Sequence, residues 1–163
     1  MLLVIDIGNT NTVVGVYRDD TLLDQLRIES RRNSTTDEYG ILLTTLLQQR
    51  GLSPDDVDDT IIASVVPPLT EVFVAVCKRW LATDALVVGP GIKTGMPILY
   101  DNPREVGADR IVNAIAAYAQ CQRACVVVDF GTATTFDVIS ERGQYLGGII
   151  VPGVNISADA LFE

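Results

Sequence analysis

Three features of the sequence predict a mixed α/β fold. The first is the apolar run Leu2-Leu3-Val4-Ile5, which stops at Asp6, turns through Gly8 and Asn9, and resumes as Val13-Val14-Gly15-Val16-Tyr17. This reads as strand, turn, strand, and the unbroken apolar run reads as a strand buried on both faces. The second is a repetition. Displacing the chain by 123 positions places Val4-Ile5-Asp6-Ile7-Gly8-Asn9 on Val127-Val128-Asp129-Phe130-Gly131-Thr132, and Thr12 on Thr135; internal duplication of this kind is a fold-level signal. The third is that helical and strand-like periods alternate after the first hairpin.

Each element follows from local chemistry. Thr21–Ile28 leaves an Asp19-Asp20 turn as a third antiparallel strand, and Ser30–Thr36 is a polar, basic loop. Asp37 is placed to cap a helix running to about Arg50, with Ile41, Leu42, Leu43, Leu46 and Leu47 on its apolar face and Gly51 as the stop. Ser53-Pro54-Asp55-Asp56 begins a short acidic turn, and Thr60–Val66 reads as a buried strand ended by Pro67-Pro68. Leu69, Val72, Phe73, Val76 and Trp80 share one face of a helix over Leu69–Ala82, which makes Trp80 a core residue. A short strand at Leu86–Val88 follows. Three antiparallel strands followed by helix, strand, helix, strand fit a domain of the ribonuclease H type. Gly89–Pro103 is a long irregular stretch with Met96, Ile98, Leu99 and Tyr100 among its turn residues, a composition that points to a functional loop. Ile111–Ala119, rich in Ala and Ile nearly all round, reads as a buried helix.

Composition narrows the function classes. A hydrophobic fraction of 48% marks a folded protein rather than a disordered one. The net charge of −9 argues against non-specific binding to nucleic acid or to anionic membranes. The absence of histidine excludes histidine catalysis and histidine-ligated metal. Cys77, Cys121 and Cys125 form no CxxC motif; an odd count with no signal peptide points to reduced cytoplasmic thiols, and Cys121 and Cys125 read as core filling. No apolar run is long enough to span a membrane.

Candidate chemistry lies at three places. Asn9, Thr10, Asn11 and Thr12 are short hydroxyl and amide side chains in a turn, which lets phosphate oxygens approach backbone N–H groups. Asp6, at the strand end, can hold a hydrated Mg²⁺; a tight hairpin satisfied by its own Asx and Thr side chains is the plainer alternative. Asp129 and Thr132 repeat the arrangement. Asp109 sits at the front of the Ala-rich helix beside Arg110, where a carboxylate either suits the helix dipole or serves as general base for a hydroxyl. Glu105, four residues earlier, would repel it if that turn were already helical.

Asp6–Thr12 (DIGNTNT), Gly107–Asn113 (GADRIVN), Val128–Thr135 (VDFGTATT) and Gly147–Gly153 (GGIIVPG) together resemble the type III pantothenate kinases, in the acetate and sugar kinase/Hsc70/actin superfamily. The resemblance implies a duplicated ribonuclease H-like (actin-like ATPase) fold with mixed sheets flanked by helices. It divides the chain into a first domain over 1–120 and the start of a second over 121–163, whose remainder lies beyond Phe162-Glu163. It implies transfer of the γ-phosphate of ATP to the 4′-hydroxyl of pantothenate, the first step of coenzyme A synthesis. Mg²⁺ and a monovalent cation, K⁺ or NH4⁺, are implied as cofactors, with a cytoplasmic homodimer that needs no nucleic acid or membrane partner. By motif, Asp6, Ile7, Gly8, Asn9, Thr10, Asn11, Thr12 and Val13 form the first phosphate loop, with Asp6 directing Mg²⁺ through water. Thr132 contacts ATP, and Asp129 helps bind the monovalent cation. Asp109 is the general base, and Tyr100, Gly107, Ala108, Asp109 and Arg110 line the pantothenate pocket.

Other readings are a different small-molecule kinase or an exopolyphosphatase-like hydrolase of the superfamily, a non-catalytic transcription-accessory relative, and a structural dimer module. The Gly107–Arg110 and Gly147–Gly153 motifs favour pantothenate. The presence of Asp6, Asp109 and Asp129 disfavours an inactive relative, and hydroxyl-rich loops after strand-end aspartates disfavour a purely structural role.

Overall fold

Leu3, Ile5 and Ile7 alternate along β1 (Leu2–Ile7) and are fully buried, while Leu2 and Asp6 on its other face are exposed. The expected strand buried on both faces is therefore a strand buried on one. The reason is that both helices of this part of the chain cover the same side. Tyr39, Leu43 and Leu47 of α1 (Thr36–Gln49) and Leu69, Phe73 and Val76 of α2 (Pro67–Trp80) join one core cluster with Leu3, Ile5 and Ile7. The sheet has the order β3-β2-β1-β4-β5. β2 (Asn11–Arg18) and β3 (Thr21–Glu29) run antiparallel beside β1, and β4 (Asp59–Ser64) and β5 (Leu86–Val87) run parallel to it.

This computed structural model describes residues 1–89 and 92–162. Pro90 and Gly91 of the expected functional loop, and Glu163 at the chain end, lie outside the described residues.

Two helix starts differ from the sequence reading. Thr35, not Asp37, caps α1: the Glu38 N–H donates to Thr35 Oγ1 at 3.3 Å, and the Thr35 N–H donates back to Glu38 Oε2 at 2.6 Å. This capping box satisfies two backbone donors at once, which a lone Asp two residues later could not do. Pro67 and Pro68 open α2 rather than merely ending β4. Proline lacks only the N–H that the first turn leaves unpaired, and its φ is already helical.

The expected core role of Trp80 has a specific partner. A Cβ on Gly40 of α1 would sit 2.3 Å from Trp80 Cε2, so the indole lies directly on the Gly40 backbone. Gly40→Ala is expected to destabilise the chain by about 1–3 kcal/mol from overpacking, against a gain of about 1 kcal/mol in helix propensity. Trp80 is the sole tryptophan, so a urea titration followed by its fluorescence reads this directly. A variant more stable than the parent would show that the ring can step aside.

The chain divides into two compact units, Met1–Val88 and Gly89–Glu163. In the second, β6 (Cys125–Phe130), β7 (Ala133–Ile139) and β8 (Tyr145–Pro152) form an antiparallel sheet in sequential order. α3 (Ala108–Cys121), which the sequence reading placed in the first domain, packs here, and a short α4 (Val154–Asp159) follows β8. Met96, Val106, Ile111, Ala114, Ile139 and Tyr145 make the core. Contrary to the expectation of a helix buried all round, α3 leaves Ala116, Ala119 and Gln120 exposed; small alanines on an outer face mimic burial in the sequence pattern. Val126, Val128 and Phe130 of β6 are exposed, Phe130 at 74%.

The irregular stretch is tied to β8. Ile98 makes a parallel bridge to Tyr145, the Tyr145 N–H donates to Pro97 O at 2.9 Å, and the Leu99 N–H donates to Tyr145 O at 2.8 Å. Among the described residues, no helix is long and apolar enough to cross a membrane.

Candidate functional site

The first hydroxyl-rich loop closes the β1–β2 hairpin. Asp6 pairs with Val13 across the hairpin and with Ala63 on β4, which places its carboxylate at the exposed end of the sheet. The Gly8 N–H donates to Asn11 O at 3.0 Å, folding the turn back on itself. A Cβ on Gly8 would come 3.1 Å from that same oxygen, so the tight turn favours glycine. Thr12 is fully buried and its hydroxyl meets Ser30 Oγ at 2.9 Å, so it braces the loop from beneath. Asn9 and Thr10 are exposed. Arg32 Nη2 donates to Asn9 Oδ1 at 2.9 Å, bringing a cation to the loop from a segment read only as a basic connector.

The second loop repeats this construction with one residue fewer. Ile7 pairs with Thr12 in the first hairpin, and Phe130 pairs with Thr134 in the second. The Gly131 N–H closes the second turn on Ala133 O at 3.0 Å, as Gly8 closes the first on Asn11. The partner of Thr12 in the repeat is therefore Thr134, also buried, and not Thr135 as the ungapped displacement implied. Beyond the turn the match persists to a bulge in the next pairing of each sheet, between Val16 and Tyr17 where β2 meets β3 and between Val138 and Ile139 where β7 meets β8. Thr132 is exposed at the tip, and a Cβ on Gly153 would lie 2.3 Å from Thr132 O, so the loop rests on the glycine that opens α4.

The third group gathers at the front of α3. Gly107 precedes the helix with extended ψ and no side-chain cap, and Ala108 is buried. Asp109 is half-buried in the first turn and accepts the Arg110 N–H at 2.8 Å. Burial pushes its carboxyl above the ordinary range, and the negative charges of Asp129 and Asp137 push the same way, against the Arg110 amide and charge. Glu105 does not add the expected i, i+4 repulsion. It lies in a separate 3₁₀ turn, Pro103–Glu105, where Asn102 Nδ2 donates to it at 2.7 Å.

Arg110 is held from behind. Its Nε donates to Asp137 Oδ1 at 2.7 Å, and Nη2 lies 2.6 Å from the same oxygen without good directionality. Asp137, 1% exposed, also accepts the Tyr145 hydroxyl at 2.6 Å and the Thr135 hydroxyl at 3.3 Å. Burial, then Asp137, drive the Tyr145 phenol well up, so it remains a donor. A Cβ on Gly148 would lie 2.5 Å from Arg110 Nη2 and 2.0 Å from Phe136 O, so this position accepts only glycine. Tyr100 packs over Gly147, where a Cβ would meet its ring at 3.3 Å. Asn113, one turn after Arg110, donates to Asp129 at 3.3 Å.

The second unit thus gathers Tyr100, Gly107, Ala108, Asp109, Arg110 and Asp129 around the α3 front and the sheet, while Asp6–Val13 belong to the first unit. Sequence reasoning missed Asp137, Tyr145, Asn113 and Arg32. The available signal was the carboxylate of Asp137 set among the apolar Phe136, Val138 and Ile139 of β7. The strand-end carboxylates fit a hard cation: Asp129 carries oxygen donors oriented by an amide. Among the described residues, no three of His, Cys, Asp and Glu gather.

Comparison with known proteins agrees with these features. A family model described as type III pantothenate kinase matches residues 2–163. The chain is 59% identical over 163 residues to the type III pantothenate kinase of Syntrophotalea carbinolica, covering all of this chain and 64% of that protein. It is 55% identical to that of Myxococcus xanthus over 163 residues, with the same coverage. The chain spans less than two thirds of the length of these relatives. Among solved structures, an Aquifex aeolicus Ppx/GppA phosphatase superposes with a TM-score of 0.55 at 14% identity, covering 98% of this chain and 54% of that one. The ethanolamine utilization protein EutJ of Carboxydothermus hydrogenoformans gives 0.52 at 15% identity, covering 93% and 51%. These two likenesses bear on the fold alone and agree with a mixed α/β architecture of sheets flanked by helices. The family match, the high identity and the four motifs lead to one assignment: the chain belongs to the type III pantothenate kinase family.

Proposed function

We propose that this chain carries the phosphoryl-transfer residues of a cytoplasmic, homodimeric kinase that phosphorylates the 4′-hydroxyl of pantothenate with ATP, opening coenzyme A synthesis. The observation that carries this reading is Asp109, half-buried at the head of α3, its carboxyl raised by burial, beside an Arg110 immobilised on Asp137. Phosphoryl transfer asks the protein mainly for positioning and charge stabilisation. Asp109 orients the pantothenate hydroxyl and takes its proton as the O–P bond forms; a raised carboxyl pKa makes it a better acceptor. Arg110, Tyr100, Gly107 and Ala108 hold the substrate. The backbone donors and small side chains of Asp6–Val13, together with Thr132, bind ATP phosphates. Asp129 holds the monovalent cation and Asp6 directs Mg²⁺ through water. Those ions, when bound, offset phosphate charge.

The test is a coupled ADP-release assay with ATP, Mg²⁺ and K⁺, with and without pantothenate, on this chain and on a version extended to the relatives' length. Pantothenate-dependent release that falls when Na⁺ replaces K⁺ is the expected result. Release insensitive to that exchange would remove Asp129 from cation binding. Silence in both proteins would overturn the kinase reading.

A further inference from the structure

The segment that leaves β3 carries an arginine to which the proposed reaction gives no task. Tyr39 of α1, 2% exposed and with its ring centroid 4.7 Å from that of Phe73, fixes this segment. The Arg31 N–H donates to Tyr39 Oη at 2.7 Å, and the Tyr39 hydroxyl lies 3.2 Å from the carbonyl oxygens of Glu29 and Arg31. The Ser34 N–H donates to Arg31 O at 3.1 Å, which closes a turn around Arg32. Ser30 holds the phosphate loop itself: its N–H donates to Thr10 O at 2.9 Å, and its hydroxyl meets that of Thr12. The expected polar connector is thus a built turn, anchored both to the loop and to α1. Its two arginines are used differently. Arg31 Nε donates to Glu29 Oε2 at 2.8 Å, so its charge is matched. Arg32 is exposed, gives Nη2 to the neutral amide oxygen of Asn9 at 2.9 Å, and makes no ion pair among the described residues.

We propose that Arg32 is a phosphate-binding residue of the first loop, held beside it by Asn9 and donating the rest of its guanidinium fork to a nucleotide phosphate. The proposal rests on the reading that Asp6–Val13 bind ATP phosphates, and it names the side chain that supplies positive charge there. The loop needs one. Its backbone donors are neutral, and the Asp6 carboxylate at the strand end repels a phosphate until a cation intervenes. A guanidinium presents planar donors that suit two phosphate oxygens at once. A neutral amide oxygen is a weaker acceptor than a phosphate, so Asn9 orients Arg32 without neutralising it. The internal repeat supports the assignment to the first loop. In both hairpins the residue that follows the third strand donates its N–H to a loop threonine, Ser30 to Thr10 at 2.9 Å and Gly153 to Thr132 at 3.1 Å. Two positions further on, the first copy has Arg32 and the second has Asn155, in the short α4. The duplicated framework is kept, while the cation at this position belongs to one copy.

The experiment is calorimetric titration with ATP and Mg²⁺ of the chain at its present length and of the version extended to the relatives' length. Arg32→Gln is expected to weaken ATP binding about 10- to 100-fold, the range for losing hydrogen bonds between charged groups. Arg32→Lys is expected to fall between parent and Arg32→Gln, because an ammonium keeps the charge and loses the fork. Arg18→Gln makes the same charge change at the far end of β2, beyond the reach of screened charge, and is expected to stay within about two-fold of the parent. The urea midpoint read by Trp80 fluorescence is expected to be the same in all, since Arg32 is exposed. ATP binding by the parent that Arg32→Gln leaves unchanged would overturn the proposal and leave the kinase reading standing. No ATP binding by the parent at either length would overturn both. Equal losses in Arg32→Gln and Arg18→Gln would reduce the effect to overall charge, and a lower urea midpoint in Arg32→Gln would make the residue structural; either result overturns the proposal.

Discussion

Asp137→Ala is expected to destabilise the second unit by about 3–5 kcal/mol, the usual consequence of leaving a buried charge without its partner. Asp137 is 1% exposed and its Oδ1 takes Arg110 Nε, Arg110 Nη2 and the Tyr145 hydroxyl within 2.7 Å. Alanine would strand a guanidinium whose side chain is only 12% exposed. Tyr145→Phe removes one hydrogen bond to a charged acceptor and is expected to cost less, about 1.5–3 kcal/mol. Removing both charges together, as Arg110→Met with Asp137→Leu, is expected to restore most of the loss, because similar-sized apolar side chains need no desolvation. Trp80 lies in the first unit and is blind to this change, so hydrogen exchange of the β6–β8 amides is the appropriate measurement. A loss below about 1 kcal/mol for the alanine variant would mean that Arg110 finds water or another partner.

Asp109→Asn has the second large expected effect, and it acts in opposite directions on activity and stability. In a version extended to the relatives' length, and on the proposed reaction, kcat is expected to fall by about 10²–10⁴, the usual contribution of a positioned base, while the KM for pantothenate changes little. Near-normal turnover would exclude Asp109 as the base. Stability is expected to rise. The folded-state pKa of Asp109 lies above its unfolded value, so ionisation opposes folding. The penalty is fully present above the folded pKa and disappears below the ordinary carboxylate pKa. The asparagine variant should therefore melt higher than the parent near neutral pH, with the gap closing in acid. The amide oxygen of the substituted side chain can still accept the Arg110 N–H, so the comparison isolates the charge. A parent that melts higher at neutral pH would show that the attraction of Arg110 outweighs burial.

Much of the fold was legible because its signals are local. The Asp-x-Gly hairpins, the helices around Leu43 and Phe73, and the helix behind Asp109 all stand in the chain as periods and turn residues. The errors have local causes too. Asp37 and Thr35 are both good caps, and only the backbone geometry at Glu38 selects Thr35. Ala116 and Ala119 read as core because alanine is apolar, yet its small surface costs little when exposed. The offset between Thr12 and Thr134 was hidden because a turn can lose one residue without changing the strands around it.

The sequence by itself determined the fold class, the duplicated hairpin, the family and the acidic residues on which the proposed chemistry rests. Those depend on motifs of contiguous residues and on short-range periodicity. Tertiary structure alone decided what supports them: Asp137 and Tyr145 behind Arg110, Asn113 on Asp129, and Arg32 on Asn9. It also decided that α3 packs with the second sheet. Most of these partners are remote in sequence: 27 positions separate Arg110 from Asp137, 23 separate Arg32 from Asn9, and 16 separate Asn113 from Asp129. A hydrogen bond or an ion pair across such distances leaves no periodic trace in a single chain. It exists only once the hydrophobic core has set the register of the sheet and brought the helix down on it.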